Sequence, residues 1–200
     1  MHPGSIVMPR HLASSPPERT PAISNTRLAM VALIACESML FAGMIGMYLV
    51  FRLSAATWPP ADQPRLPLIV TTLNTLVLLA SIVPLTRALR ADSGAARARQ
   101  VGLTALLGAT FVLVQGIEWV RLVQHGLTLG SSTYGATFYM LIGCHALHVL
   151  TGALWVAVTA VLARSDAFAE RHPAALEMCG IYWYFVCGLW GVLFPLVYLY

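Results

Sequence analysis

The feature that most constrains this chain is an apolar stretch, from Tyr134 to Trp155, that carries two histidines near its middle. His145 and His148 are three positions apart, so on a helix they share a face, one turn apart. Imidazole groups at membrane depth are costly unless they face protein, water or a polar lipid group. We therefore predict that this stretch is a transmembrane helix packed against other helices of the same chain.

The rest of the chain supplies those neighbours. Of its 200 residues 58% are hydrophobic and 10% are charged, whereas soluble domains carry about 25% charged residues. We predict an all-α integral membrane protein, a bundle of five transmembrane helices within residues 27–200. Residues 1–26 are rich in proline and serine and are predicted to form a disordered N-terminal tail. The predicted spans are about 28–51, 66–85, 101–123, 134–162 and 175–199, with a polar loop from Asp92 to Gln100 between the second and third.

The arginines indicate an orientation. All 12 basic residues are arginine; nine lie in the N-terminal tail and the second and fourth loops, and three lie on the other side of the predicted bundle. The positive-inside rule then predicts a cytoplasmic N-terminus and a C-terminus outside, in the periplasm. Because the net charge of +4 comes from loops and tail, it does not indicate a nucleic-acid partner.

Glu37 lies about ten residues into the first predicted span. An ionised carboxylate there would be strongly penalised without a partner. Two interpretations remain open: a carboxylate that handles protons or contacts lipid, and a protonated acid hydrogen-bonded between helices.

The spacing of the two histidines would allow both to bind a metal or a haem. Such a site needs further ligands, however, and no second histidine pair lies in a predicted span. We therefore predict that His145 and His148 make interhelical hydrogen bonds or contact a lipid headgroup. Glu118, one turn from Gln115 near the far end of the third span, is a candidate partner because a short turn joins the third and fourth spans. No metal is predicted to bind this chain.

Two smaller expectations concern the remaining polar and thiol groups. Glu177, near the start of the last span, is expected either to pair with Arg171 or to remain a solvated acid favoured by the helix dipole. The four cysteines form no CxxC pair and are predicted to be buried structural thiols. They are Cys36, Cys144, Cys179 and Cys187.

Motifs along nearly the whole chain after residue 24 resemble one known family. They include CESMLFAGMIGMYLVFR, WPPADQPRLPLIVTTLNTLVLLAS, LVQGIEW and, most specific, YGATFYMLIGCHALHVLTGALW. The final span is similar through Glu177, Tyr182, Trp183, Phe185 and Val186. These motifs resemble subunit III of the haem–copper cytochrome c and quinol oxidases, in its short five-helix bacterial form. The chain departs from the family at Tyr184 and Cys187, where a histidine and an aspartate are usual.

The resemblance implies a non-catalytic subunit of a proton-pumping terminal oxidase that reduces O₂ to water in a bacterial inner membrane. It implies packing against subunit I, with subunit II and a possible subunit IV in the same complex. Haem and copper would belong to subunits I and II, and phospholipid would lie in a cleft of this subunit. The matched Glu37 would be the family's reactive buried carboxylate, supporting proton uptake and sustained turnover.

Three alternatives remain open from the sequence. One is an accessory subunit of a nitric oxide reductase-type complex. Another is a small proton-coupled transporter in which Glu37, His145 and His148 form a relay. The third is an intramembrane enzyme that uses these histidines and acids around a metal.

Overall fold

The computed structural model describes residues 24–61, 63–164 and 173–200. Within these ranges all regular secondary structure is helical, and five segments are long and apolar enough to cross a membrane. The predicted all-α, five-span fold is therefore confirmed, while most of the predicted tail lies outside the described residues. The helices are α1 (Asn25–Ser54), α2 (Leu68–Ala80), α3 (Ile82–Leu89), α4 (Gly94–Gln124), α5 (Thr133–Leu162) and α6 (Pro173–Phe194), followed by a π-helical segment (Pro195–Leu199).

Serine side chains cap three of the long helices. Ser24, Ser93 and Ser132 each accept a hydrogen bond from the backbone N–H three residues later, at 3.3, 3.2 and 3.1 Å. Because Ser93 starts α4 and alanine and arginine follow it, most of the segment predicted as a polar loop from Asp92 to Gln100 is helical instead. The third spanning helix therefore begins earlier than its apolar run.

The second span is two helices joined at Ser81. Pro84 carries no backbone N–H and cannot bond the carbonyl four residues before it, so the hydrogen-bond ladder is interrupted at Ala80. Ser81 closes the end of α2 with backbone bonds of 3.2 and 3.1 Å to Val77 and Leu78. The helix then resumes as α3 and continues to Leu89, past the predicted end of the span.

Trp183 of α6 lies at the centre of the bundle and is fully buried. A methyl group added at Gly108 of α4 would lie 2.7 Å from its ring, and one at Gly152 of α5 would lie 3.1 Å from it. Its indole N–H donates to the Ser81 hydroxyl at 2.9 Å. One side chain thus contacts α4, α5 and the α2–α3 junction, and the two glycines make room for it.

The first helix lies at the edge of the bundle. It buries Met30, Phe41, Met44 and Tyr48, which recur on one helical face, against α5 and α6. Its other faces are exposed, and it is the least buried of the five spans. The seam between α1 and α5 therefore lies at the edge of the bundle.

Candidate functional site

Glu37 of α1 and His148 of α5 meet in this seam. The histidine Nε2 lies 3.0 Å from Oε2 of the glutamate, and its Nδ1 lies 2.7 Å from the backbone carbonyl of Cys144. A carbonyl can only accept, so Nδ1 carries a hydrogen. Nε2 must then either accept from a protonated Glu37 or, as imidazolium, donate to an ionised one. In both arrangements the pair is neutral overall and holds one transferable proton.

The pair is only partly enclosed. The side chains of Glu37 and His148 are 24% and 15% exposed, because α1 covers the histidine incompletely. The Phe41 ring, one turn along α1, packs edge-on against the His148 ring with centroids 5.1 Å apart. Phe41 therefore packs against the histidine of the pair, and both paired side chains keep part of their surface exposed.

His145 occupies a different environment. It is 1% exposed, its ring stacks on Trp190, and neither ring nitrogen has a hydrogen-bond partner among the described residues. The structure therefore gives an interhelical polar contact to His148 and an aromatic packing role to His145. The two histidines do not act together as a pair of ligands in this arrangement.

The candidate pairing of Glu118 with the histidines is wrong. Glu118 is 5% exposed and accepts a hydrogen bond at 2.7 Å from Arg121, whose side chain is mostly exposed while the carboxylate is buried. Gln115, one turn earlier, donates through Nε2 to the Tyr198 hydroxyl at 3.3 Å. Both residues face the interior between α4 and the π-helical segment, away from the seam that holds Glu37.

Glu177 pairs with Arg27, which links the N-terminal ends of α6 and α1. The expected partner Arg171 lies outside the described residues. Sequence reasoning missed this contact because 150 positions separate the two residues and neither lies in a recognisable motif. The pair is exposed and joins α1 to α6, outside the α1–α5 seam.

The positions that depart from the family pattern are accommodated within the bundle. The Tyr184 hydroxyl lies 2.9 Å from the Thr86 hydroxyl of α3, and Cys187 is fully buried. All four cysteines are free thiols, with Cys179 and Cys187 buried and Cys144 intermediate. Cys36 lies on the exposed side of α1, so its predicted burial is wrong.

Within residues 24–61, 63–164 and 173–200 no three histidine, cysteine, aspartate or glutamate side chains cluster closely enough to hold a metal ion. The Glu37–His148 pair offers a single imidazole nitrogen and one carboxylate, with Cys144 Sγ at 4.0 Å from the other ring nitrogen. The contact that these atoms make with each other is a hydrogen bond between the imidazole and the carboxyl group.

Comparison with known proteins identifies the family of the chain. A sequence model of the family described as cytochrome c oxidase subunit III matches residues 17–200. The chain is 38% identical over 175 residues to a probable cytochrome c oxidase subunit 3 of Mycobacterium leprae, covering 84% of each protein. It is 33% identical over 192 residues to the Corynebacterium diphtheriae subunit 3, covering 91% of this chain and 93% of that protein. The subunit 3 of Synechocystis is 33% identical over 176 residues, covering 85% of this chain and 73% of that protein.

Fold, site and similarity define a multi-pass helical subunit of a membrane oxidoreductase complex. The chain belongs to the cytochrome c oxidase subunit III family, and its function is that of a subunit III in a haem–copper respiratory oxidase. The family's complexes hold their cofactors in other subunits.

Proposed function

We propose that this chain is a non-catalytic subunit of a proton-pumping oxidase and that its Glu37–His148 pair supports proton uptake and sustained turnover. The observation that carries the proposal is the 3.0 Å contact between the two side chains inside spanning helices. Subunits I and II would hold the haem and copper and reduce O₂ to water. Subunit I would be the main contact, with subunit II and a possible subunit IV in the same complex.

The number of protons that the Glu37–His148 pair holds is compatible with a role in proton uptake. A neutral pair that already holds one transferable proton can release it or accept a second one, and either change leaves a single net charge in the seam. A net charge at membrane depth is unfavourable, so proton release and re-uptake would follow one another closely. A pair of this kind passes protons on and does not store them.

The seam also offers space for lipid. A hollow of about 380 Å³ lies at the end of the bundle where α1 begins, and its lining is largely apolar. Its walls include Met30 and Leu33 of α1, Trp155 of α5 and Met178 of α6. We propose that a phospholipid acyl chain fills it and shields the Glu37 side of the seam from bulk water, which would slow loss of activity during turnover.

The proposed location is the bacterial plasma membrane, with the N-terminus in the cytoplasm. The arginine distribution supports this orientation, because nine of the 12 arginines lie on the side of the N-terminus. The start of α1, the Arg27–Glu177 pair and the apolar hollow would then face the cytoplasm, from which protons are taken up. Membrane-impermeant thiol labelling of single cysteines placed at Arg90 and Arg65, in cells, checks this arrangement.

Labelling with a hydrophobic carbodiimide tests the accessible carboxyl group. We expect Glu37 to be modified in the purified complex, because its carboxyl group is partly exposed and a protonated carboxyl reacts with this reagent. Glu37→Gln should abolish the modification. Glu118→Gln is the matched control and should leave it unchanged, since Glu118 is buried and paired with Arg121. Labelling that persists in Glu37→Gln would refute the assignment.

Turnover kinetics test the supporting role. In Glu37→Gln the initial rate of O₂ consumption should stay close to that of the unchanged complex, because the reacting atoms lie in other subunits. Activity should then decline after fewer turnovers. Loss of nearly all initial activity in a fully assembled complex would contradict the non-catalytic role.

Co-purification tests the partners and the alternatives together. The tagged chain, extracted gently from its native membrane, should carry haem bands in a reduced-minus-oxidised spectrum and consume O₂. A complex that reduces nitric oxide without consuming O₂ would favour the nitric oxide reductase alternative. A colourless, lone chain would favour the transporter.

A further inference from the structure

A second hollow, of about 250 Å³, lies between α4 and α5 on the outer surface of the bundle. It opens sideways, because Leu147 and Leu150 in its wall are 65% and 52% exposed. Both helices are long and apolar enough to cross a membrane, so the opening is expected to face the bilayer. None of the described residues that line the hollow is charged. A ligand that enters it from the membrane would therefore be uncharged and largely apolar.

The space in this hollow exists because two residues of its wall have no side chain. Gly116 of α4 and Gly143 of α5 both line it. No described atom lies within 4 Å of a methyl group built at Gly116, and the Trp119 ring lies 3.7 Å from one built at Gly143. A cavity of about 150 Å³ is sufficient for a benzene ring, so this hollow has room for a substituted aromatic ring.

Two buried polar atoms without hydrogen-bond partners belong to residues of this wall. Gln115 is 6% exposed; its Nε2 donates to the Tyr198 hydroxyl, and its Oε1 has no partner among the described residues. The indole N–H of Trp119, one turn further along α4, also lacks a partner within the part of the chain that the structure describes. Buried polar groups are normally hydrogen-bonded. One acceptor and one donor on the same face of α4 are therefore available to a ligand.

Aromatic contacts hold the two rings of the wall in position. The Trp119 ring packs edge-on against Tyr139, with centroids 5.7 Å apart, and the Tyr139 hydroxyl donates to the Leu127 carbonyl at 2.8 Å. Phe111, which also lines the hollow, packs edge-on against the buried Trp190 with centroids 5.4 Å apart. A ligand thus meets two rings that are already fixed, which reduces the entropy lost on binding. Fixed aromatic rings favour an aromatic ligand over a flexible acyl chain.

We propose that this hollow binds a hydroxylated aromatic ring on an apolar tail, the chemistry of a membrane quinol. A hydroxyl group donates and accepts through a single oxygen atom, so it can accept from the Trp119 indole and donate to Gln115 Oε1. The ring would lie beside Phe111 and Trp119, and the tail would extend through the opening into the bilayer. The site uses neither Glu37 nor His148, so it is independent of the proposed proton role.

The test measures binding of tritiated para-decylphenol, a phenol that is stable in air, to the intact oxidase complex immobilised in detergent. Gly116→Leu places a side chain in the hollow and should lower the affinity at least about tenfold, because ring and side chain would overlap. Gly102→Leu is the matched control. It adds the same group to α4 at a position that also has open space but does not line the hollow, and it should leave the affinity unchanged. Haem spectra and subunit composition establish that both variants assemble.

A second pair of measurements tests recognition of the hydroxyl group. Trp119→Phe keeps an aromatic ring and removes the N–H, so it should weaken para-decylphenol binding about fivefold, the effect of one hydrogen bond. The methyl ether, para-decylanisole, cannot donate to Gln115 Oε1 and should bind the unchanged complex about tenfold more weakly than the phenol does.

Competition under anaerobic conditions tests the quinol as the ligand. Decylubiquinol should displace the phenol at about tenfold lower concentration than decylubiquinone, whose carbonyls only accept. The proposal is overturned if para-decylphenol shows no saturable binding, which is also the result expected if a partner's side chain fills the hollow. It is equally overturned if Gly116→Leu binds as tightly as Gly102→Leu, or if phenol and methyl ether bind alike. Equal displacement by quinol and quinone, or none by either, would exclude the quinol.

Discussion

The ring of His145 lies nearly flat on the indole of Trp190, with centroids 5.1 Å apart and planes 17° apart. One turn along the same helix, His148 bonds to Glu37 across the α1–α5 seam. The same residue type therefore packs as an aromatic ring at one position and forms an interhelical hydrogen bond at the other. A ring stacked on an indole and lacking described hydrogen-bond partners contributes mainly through its surface area.

This contrast predicts opposite effects for one substitution at two positions. His145→Phe should change the free energy of unfolding by less than about 1 kcal/mol, or raise it, because the stack is kept and unpartnered buried nitrogens are removed. His148→Phe should lower it by about 1–3 kcal/mol, because the Glu37 carboxyl loses its partner. Thermal unfolding in detergent measures both. A larger loss for His145→Phe than for His148→Phe would contradict this account.

Gly108 and Gly102 of α4 form a matched pair for testing the packing around Trp183. Gly108→Ala places a methyl group 2.7 Å from the indole ring, so we expect a loss of about 1–3 kcal/mol from overpacking. Nothing lies within 4 Å of a methyl group at Gly102, so Gly102→Ala should be neutral or slightly stabilising. Equal unfolding temperatures for the two variants would show that α4 can move away from Trp183 at no cost.

Ser81 is predicted to matter more than an ordinary serine in a membrane helix. Ser81→Ala leaves the buried Trp183 N–H without its 2.9 Å acceptor, at a cost of about 1–3 kcal/mol. Ser38→Ala is the control: that hydroxyl donates to the Ile34 carbonyl of its own helix and is exposed, so its removal should change stability by less than about 0.5 kcal/mol. Chemical denaturation in mixed micelles distinguishes the two. The prediction is wrong if both serines prove equally dispensable.

The Arg27–Glu177 pair is expected to contribute little to stability. Both side chains are substantially exposed, at 51% and 39%, so their attraction is screened by solvent. A double-mutant cycle with Arg27→Gln and Glu177→Gln should give a coupling of about 0.2–1 kcal/mol that decreases as salt is added. A larger, salt-independent coupling would indicate that the pair is enclosed in the assembled complex.

The helical architecture could be predicted because long apolar runs are a one-dimensional signal. The early start of α4 could not be predicted from apolar runs. Ser93 and the alanine–arginine segment after it favour a helix, but the segment is not apolar. The position of the break in the second span was also difficult to predict. Pro84 marks the region, but the junction forms at Ser81, where the hydrogen-bond ladder fails.

The residues of the site could be predicted from the sequence, but their pairings could not. Glu37 and His148 could each be singled out as polar residues within apolar runs. They are 111 positions apart, however, and their contact depends on how α1 is rotated about its axis relative to α5. The short turn between α4 and α5 suggested Glu118 as the histidine partner. Adjacency of two helices does not set which faces meet, and His148 faces α1 instead.

Trp183 has a consequence for how the protein is made. Its slot is formed by Gly108 and Gly152 on two helices that are synthesised earlier, and its hydrogen-bond acceptor Ser81 is synthesised earlier still. Until α6 has been synthesised, the space between the two glycines is unfilled and the Ser81 hydroxyl lacks its indole donor. The first five helices are therefore expected to enter the bilayer as a loosely associated group. Insertion of the Trp183 indole is then expected to bring α4, α5 and the α2–α3 junction into close contact.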